Sequence, residues 1–268
     1  MQQHTIAASV SLEGIGLHSG KPSLVTLSPA LKDQGRYLVV NDRVVPCTIA
    51  AVKGTVLSTE VGGIRTVEHL LSALWGMAID NVEIRVEGTE LPILDGSALP
   101  WVELIEGAGR VAQGEKQPPV LLTEPVFVQE ADRFVVAMPS PMLKFTYGID
   151  FPTAAIGVQW FSWTPGEDYA REVAPARTFT MAHQIDQLRS QGLIQGGSLE
   201  NAIVCDAQKW LNPPLRFPDE PCRHKLLDLI GDLSLVPHLP QAHYLAYKAS
   251  HHLHTQLARS LGTNYGKN

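Results

Sequence analysis

Twice along this chain, segments with the two-residue period of a β-strand give way to segments with helical spacing. In the first half, Thr5–Gly14 and Ser23–Leu27 read as a hairpin around the turn-like HSGK, and Tyr37–Val40 and Val44–Ile49 as two more strands. VEHLLSALWGM then places apolar residues at helical spacing, with Thr66 as the expected N-cap and Glu68 and His69 in the first turn. NVEIRVE, residues 81–87, alternates as a strand, and PWVELIEGA, residues 100–108, reads as a helix opened by proline. The polar stretch GEKQPP, residues 114–119, is the expected linker. After it the order restarts, with strands at Val120–Thr123, Val126–Gln129, Phe134–Met138 and Leu143–Asp150. Helices are expected at Ala182–Gln191 and His224–Leu235, with a short strand at Ala202–Asp206 between them. Strands followed by helices, rather than strict βαβ alternation, predict an α+β fold. The expectation is two similar domains, residues 1–116 and 117–268, each a β-sheet layered against α-helices. Each half sets a histidine early in its clearest helix, His69 and His224, but no residue-level repeat accompanies this.

The chain has 268 residues, of which 44% are hydrophobic and 18% charged, enough for substantial cores. A formal net charge of -6 gives no electrostatic reason to expect a nucleic-acid partner. Three cysteines without a CxxC spacing exclude a thiolate-rich zinc site and suit a reducing cytoplasm. The first residues lack a signal peptide's basic and apolar regions, and no apolar run reaches the roughly 18 residues of a membrane span. Any contact with lipid is expected with a substrate or transiently at a membrane surface.

RHKLLDLIGD, residues 223–232, poses a chemical question. On a helix, His224, Asp228 and Asp232 fall in one stripe with Lys225 at its edge, while leucines and Ile230 cover well over half the circumference. Such a stripe is either a solvated face or the wall of a cleft. Histidine and aspartate one turn apart both reach a single metal ion, and a catalytic zinc usually takes three protein ligands. TVEHL is the best source of the third, because Glu68 and His69 point about 100° apart, so that one binds while the other stands beside the site. No HExxH motif is present, so a metalloprotease of that type is not supported. The late cluster SHHLH, residues 250–254, is either a partly buried patch or the source of a general acid.

Taken in order, TVEHLLSAL, LPILDGSA, ARTF, GLIQGGSLENAIV and RHKLLDLIGDL resemble the UDP-3-O-acyl-N-acetylglucosamine deacetylases, the zinc amidases of lipid A biosynthesis, from about Ile6 to Leu257. The resemblance implies an active site between the two domains, with one zinc ion per chain (or iron in the cell) held by His69, His224 and Asp228. It implies Glu68 as general base and His251 as the acid oriented by Asp232. The family has KSGH where this chain has KASH, which leaves His252 as the alternative to His251. Lys225 and Thr178 are implied as electrostatic partners of the reacting group. Phe179 and Phe151 match positions near the substrate, and His18 of GIGLHSG matches a family histidine that is either on the substrate side or structural. Thr180–Val204 matches a small inserted unit forming an acyl passage, bordered by Ile185, Leu193, Ile194, Gly197, Ser198, Ala202 and Val204. The implied reaction releases acetate and a free 2-amino sugar nucleotide from an acylated UDP-N-acetylglucosamine, in a cytoplasmic monomer. The alternative is a zinc amidase for another N-acetylated sugar nucleotide.

Overall fold

The computed structural model describes residues 2–265. The first half runs β1 (Gln2–Ile6), β2 (Val10–Ile15), β3 (Pro22–Pro29), β4 (Arg36–Val40), β5 (Arg43–Pro46), β6 (Val52–Gly54), β7 (Glu60–Val61), α1 (Glu68–Gly76), β8 (Val82–Glu87), α2 (Leu99–Ala108) and β9 (Arg110–Glu115). The second runs β10 (Val126–Glu130), β11 (Arg133–Pro139), β12 (Lys144–Asp150), β13 (Val158–Trp163), α3 (Tyr169–Glu172), β14 (Phe179–Met181), α4 (Ala182–Ser190), β15 (Ile203–Cys205), α5 (Glu220–Leu233), β16 (Ala242–Tyr247) and α6 (His251–Tyr265). The fold is α+β, as expected.

Each half holds a five-stranded sheet, and the two sheets have one topology. Their orders are β2-β3-β8-β4-β5 and β10-β11-β16-β12-β13. In both, an antiparallel hairpin leads to a central strand that pairs in parallel with the next strand and closes with a second hairpin. In both, one long helix precedes the central strand and another follows it, α1 and α2 around β8, α5 and α6 around β16.

The layering follows from alternation. In β3 the side chains of Ser23, Val25 and Leu27 turn inward while their neighbours face outward. In β16 the inward set is Ala242, Tyr244 and Ala246. The helices are covered on nearly every side: α1 buries Glu68 through Leu74, and α5 buries all but two of its residues, Arg223 and Lys225. The apolar core is continuous through both halves, joining Leu70, Leu71 and Leu74 of α1 to Leu226, Leu227 and Ile230 of α5.

One residue sets how closely α1 and α5 approach. A Cβ at Gly231 would lie 2.2 Å from the Glu68 carbonyl oxygen and 3.0 Å from the Glu68 Cα. Only hydrogen at that position lets the backbone of α1 rest on α5.

Several sequence expectations are corrected. Thr66 does not cap α1: the cap position is Val67, without a side-chain hydrogen bond, and the Thr66 hydroxyl donates to Glu90. The first hairpin is β2–β3, whereas β1 pairs with the distant β9. Val120–Thr123 forms only an isolated bridge at Leu121.

Candidate metal centre and active site

The stripe on α5 and the first turn of α1 meet in one buried place. His69 Nε2 lies 3.7 Å from Asp228 Oδ1, and His224 Nε2 lies 3.5 Å from the same oxygen. One donor atom from each of the three residues falls within 4.8 Å of the others. The two imidazoles meet edge to face with centroids 5.0 Å apart.

The donor chemistry fits a divalent cation. His224 Nδ1 donates to the Ala176 carbonyl at 3.0 Å, so Nε2 presents its lone pair to the cluster. Asp228 Oδ2 accepts from Lys225 Nζ at 2.9 Å. Asp228 Oδ1, by contrast, is buried and accepts no hydrogen bond from the protein. A buried carboxylate oxygen facing the Nε2 atoms of two imidazoles is a strong place for a positive ion. Burial holds His69 down to about 3 and lowers His224 as well, so both rings are neutral, as metal ligands must be. Burial alone would raise the Asp228 carboxyl; Lys225 and the charged His251 outweigh it and keep it ionised.

Two further groups face the same cavity. Glu68 Oε2 accepts from the Thr59 backbone N–H at 3.0 Å, and Oε1 lies 3.8 Å from His251 Nε2. Burial pushes Glu68 up to about 8. His251 Nδ1 donates to Asp232 Oδ2 at 2.7 Å, which leaves Nε2 toward Glu68 and 4.0 Å from Asp228. Burial opposes the charged ring, but Asp232, by charge and hydrogen bond, and then Glu68 and Asp228 raise His251 to about 9. Thr59 ties the two groups together, since its hydroxyl donates to the other oxygen of Asp232.

Among the described residues, a cavity of about 40 Å³ is lined by Glu68, His69, His224, Asp228, His251, Lys225 and Thr178, together with Leu17, Leu57, Thr66 and Ile93. Thr178 is placed by backbone bonds at both ends, donating to the Gly96 carbonyl at 2.8 Å and accepting from Ile203 N–H at 2.9 Å. Lys225 Nζ stands 5.9 Å above the Phe179 ring, and Phe179 meets Phe151 edge to face at 5.4 Å.

Other expected residues lie apart from this cavity. His18 is buried beside it, with neither ring nitrogen bonded; burial and Arg65 lower it to about 4, so the ring is neutral. Its backbone N–H donates to Glu90. β14, α4 and β15 form a parallel βαβ unit, with Phe179 opposite Ile203. Within it Ile185 and Ile194 are half-buried, Ser198 is exposed, and Ala202 and Val204 are buried; none lines the cavity. His252 is exposed and pairs with Gln256 at 2.8 Å, turned away from the site.

Two residues escaped the sequence reading. Thr59 carries no local motif. His254 is buried with Nδ1 2.8 Å from Asp232 Oδ2. Its signal was available, since His251 and His254 are three apart and share a helix face, whereas His252 does not.

A buried carboxylate and a buried histidine flank a donor set that fits a divalent cation, and the chain's relatives are deacetylases, which makes its class a hydrolase acting on amide bonds. The chain belongs to the UDP-3-O-acyl N-acetylglycosamine deacetylase family, whose sequence profile matches residues 3–263. It is 57% identical over 267 residues to the UDP-3-O-acyl-N-acetylglucosamine deacetylase of Thermosynechococcus vestitus, covering 97% of this chain and 93% of the relative. The protein of the same name from Synechocystis is 50% identical over 98% of this chain and 99% of its own length. A protein of Arabidopsis thaliana named probable UDP-3-O-acyl-N-acetylglucosamine deacetylase 1, mitochondrial, is 47% identical over 97% and 87%.

Proposed function

We propose that the chain hydrolyses the N-acetyl group of UDP-3-O-(3-hydroxyacyl)-N-acetylglucosamine, releasing acetate and a free 2-amino sugar nucleotide for lipid A assembly. One observation carries this reading: an ionised Asp228 oxygen without a protein donor faces two neutral histidines, with Glu68 and His251 on the same cavity.

His69, His224 and Asp228 would hold one zinc ion. Zinc bound there supplies a Lewis acid for the acetamide carbonyl and lowers the pKa of water at the site. Glu68, anchored through Oε2, takes the proton of the attacking water at Oε1. The new C–O bond places negative charge on the former carbonyl oxygen, and the Thr178 hydroxyl and Lys225 ammonium stabilise it. Cleavage of the C–N bond leaves an amine that departs only when protonated. His251 delivers that proton from Nε2 while Asp232 holds Nδ1. Phe151, Phe179 and the β14–α4–β15 unit supply apolar surface for the acyl chain, and His18 sits on the substrate side.

The domain division falls after residue 116 in this reading. No helix among the described residues is long and apolar enough to cross a membrane. The three buried free thiols suit a reducing compartment, and we place the reaction in the cytoplasm.

The test is release of acetate from the acylated UDP-sugar by purified protein, with and without a chelator, alongside metal analysis. Turnover that chelation abolishes and zinc restores, at one ion per chain, is the expected result. Full turnover after complete metal removal would sink the reading, and so would preference for a differently N-acetylated nucleotide sugar.

A further inference from the structure

Asp232 is shared. It is fully buried, and its two oxygens have three donors. Oδ1 accepts from the Thr59 hydroxyl. Oδ2 accepts from His251 Nδ1 at 2.7 Å and from His254 Nδ1 at 2.8 Å. The two imidazoles stand nearly perpendicular, at 79°, with centroids 6.0 Å apart. They therefore approach one oxygen from two directions, which fixes the carboxylate plane as well as its position.

His254 is itself held. The Tyr147 ring packs edge to face against it with centroids 5.7 Å apart, and the Tyr147 hydroxyl donates at 2.7 Å to the carbonyl of Ala249, just before α6. Both rings of His254 and Tyr147 are inside the core, and neither lines the cavity. The three Asp232 donors come from two segments, the loop before β7 and the first two turns of α6.

We propose that His254 is a positioning residue for the deacetylation: its Nδ1–H locks the Asp232 carboxylate so that His251 keeps Nδ1 on Asp232 and Nε2 on the cavity. This rests on the reading of His251 as the acid. With the Asp232 plane fixed, His251 cannot turn about its side-chain bonds without losing a short charge-assisted hydrogen bond. Without the His254 donor, the carboxylate keeps one partner on each oxygen, Thr59 on Oδ1 and His251 on Oδ2, and loses the second direction of approach that fixes Oδ2. A positioned acid loses efficiency when its geometry loosens by well under 1 Å.

The test compares zinc-loaded His254→Phe and His254→Asn with the parent protein. Phenylalanine fills the ring's space without a donor. The asparagine amide nitrogen reaches close to the position of Nδ1 and can still donate to Asp232. We expect His254→Phe to lower kcat by about 10- to 100-fold, as loss of an outer-shell partner does, with KM within about twofold. His254→Asn should recover most of the loss. In a His251→Ala background, His254→Phe should change the residual kcat by less than about twofold, because coupled residues are not additive. Undiminished kcat in His254→Phe overturns the proposal. So does an asparagine variant as slow as the phenylalanine one, or an equal loss in both backgrounds, which marks a merely structural role. Should His254→Phe not fold, nitrogen-15 spectra of the parent protein decide: His254 must carry its proton on Nδ1, and the opposite tautomer overturns the proposal. If His251→Ala itself turns over at the parent rate, the reading of the acid has failed instead.

Discussion

Gly231→Ala isolates the contact that brings the two halves of the site together. In most helices this exchange is stabilising, by up to about 1 kcal/mol, because alanine loses less backbone entropy than glycine. Here the added Cβ would stand 2.2 Å from the Glu68 carbonyl oxygen, and ordinary contact begins at 3.4 Å. The shortfall is 3.4 − 2.2 = 1.2 Å, and the atoms met are backbone, so no side chain can swing aside. Helix α1 must shift by about that much, carrying Glu68 and His69 with it. Overpacking of this kind costs about 1–3 kcal/mol, partly offset by the propensity gain. Net destabilisation is therefore modest, on the order of 0–2 kcal/mol. The effect on chemistry is larger, since a displacement near 1 Å costs about 100-fold. Gly107→Ala is the matched control: it lies in α2 with open space where its Cβ would go. Thermal unfolding and kcat are measured on both. We expect Gly107→Ala to match or exceed the parent stability with full kcat, and Gly231→Ala to lose about 100-fold in kcat with a Tm lower by only a few degrees. Parent-like kcat in folded Gly231→Ala would refute the idea that this backbone contact sets the geometry.

Glu68→Gln leaves His69, His224 and Asp228 intact, so metal analysis should still find one ion per chain while kcat falls by about 100- to 10,000-fold; loss of the ion instead would make Glu68 a ligand. His251→Ala should lower kcat over a similar range, whereas His252→Ala, at an exposed ring paired with Gln256, should stay within about twofold; the reverse result would move the acid to His252. In chelated protein, His251 is raised from 6.5 to about 9, so its contribution to stability is complete below pH 6.5 and is lost as pH rises through about 9. Unfolding of chelated parent and His251→Ala across that window measures it, and parallel curves would contradict the assignment. A bound dication favours ionised Glu68, so zinc binding near neutral pH should release a proton, and calorimetry in buffers of different ionisation enthalpy reads the number.

The helices that build the site were legible because their periodicity is strong. In RHKLLDLIGD three leucines and Ile230 enclose a stripe of His224, Asp228 and Asp232, a pattern with few solutions other than burial against a cleft. The strand β16 was not legible from alternation alone. Its inward set includes Ala242 and Ala246, whose small side chains give little hydrophobic contrast, although it is the central strand of its sheet. The pairing of β1 with β9 joins residues some hundred positions apart, and nothing local announces it. Thr66 shows the same limit in one side chain. Its local sequence suits a cap, but Glu90, gathering N–H groups from His18 and Ser19, claims its hydroxyl. Local rules rank partners by sequence distance, whereas the folded chain ranks them by unmet charge.

The shared topology of the halves explains why the site lies where it does. Helices α1 and α5 occupy equivalent places, each leading into the central strand of its sheet. Packed on each other, they bring the start of α1 against the middle of α5, so neither half alone holds more than part of the donor set. The first half gives Glu68 and His69; the second gives His224, Asp228 and His251. The charges show what this arrangement demands. Asp228 and Asp232 are held ionised inside the core, while among the described residues Lys225 and His251 stand against them as the cations close by. Glu68 is kept protonated past neutrality by burial, so ionising it would leave the cluster one negative charge in excess. A divalent cation at the open Asp228 oxygen would reverse that balance and let Glu68 ionise, as the proposed base must. In the proposed reading the metal and the base would form one electrostatic unit, closed only when both halves are in contact.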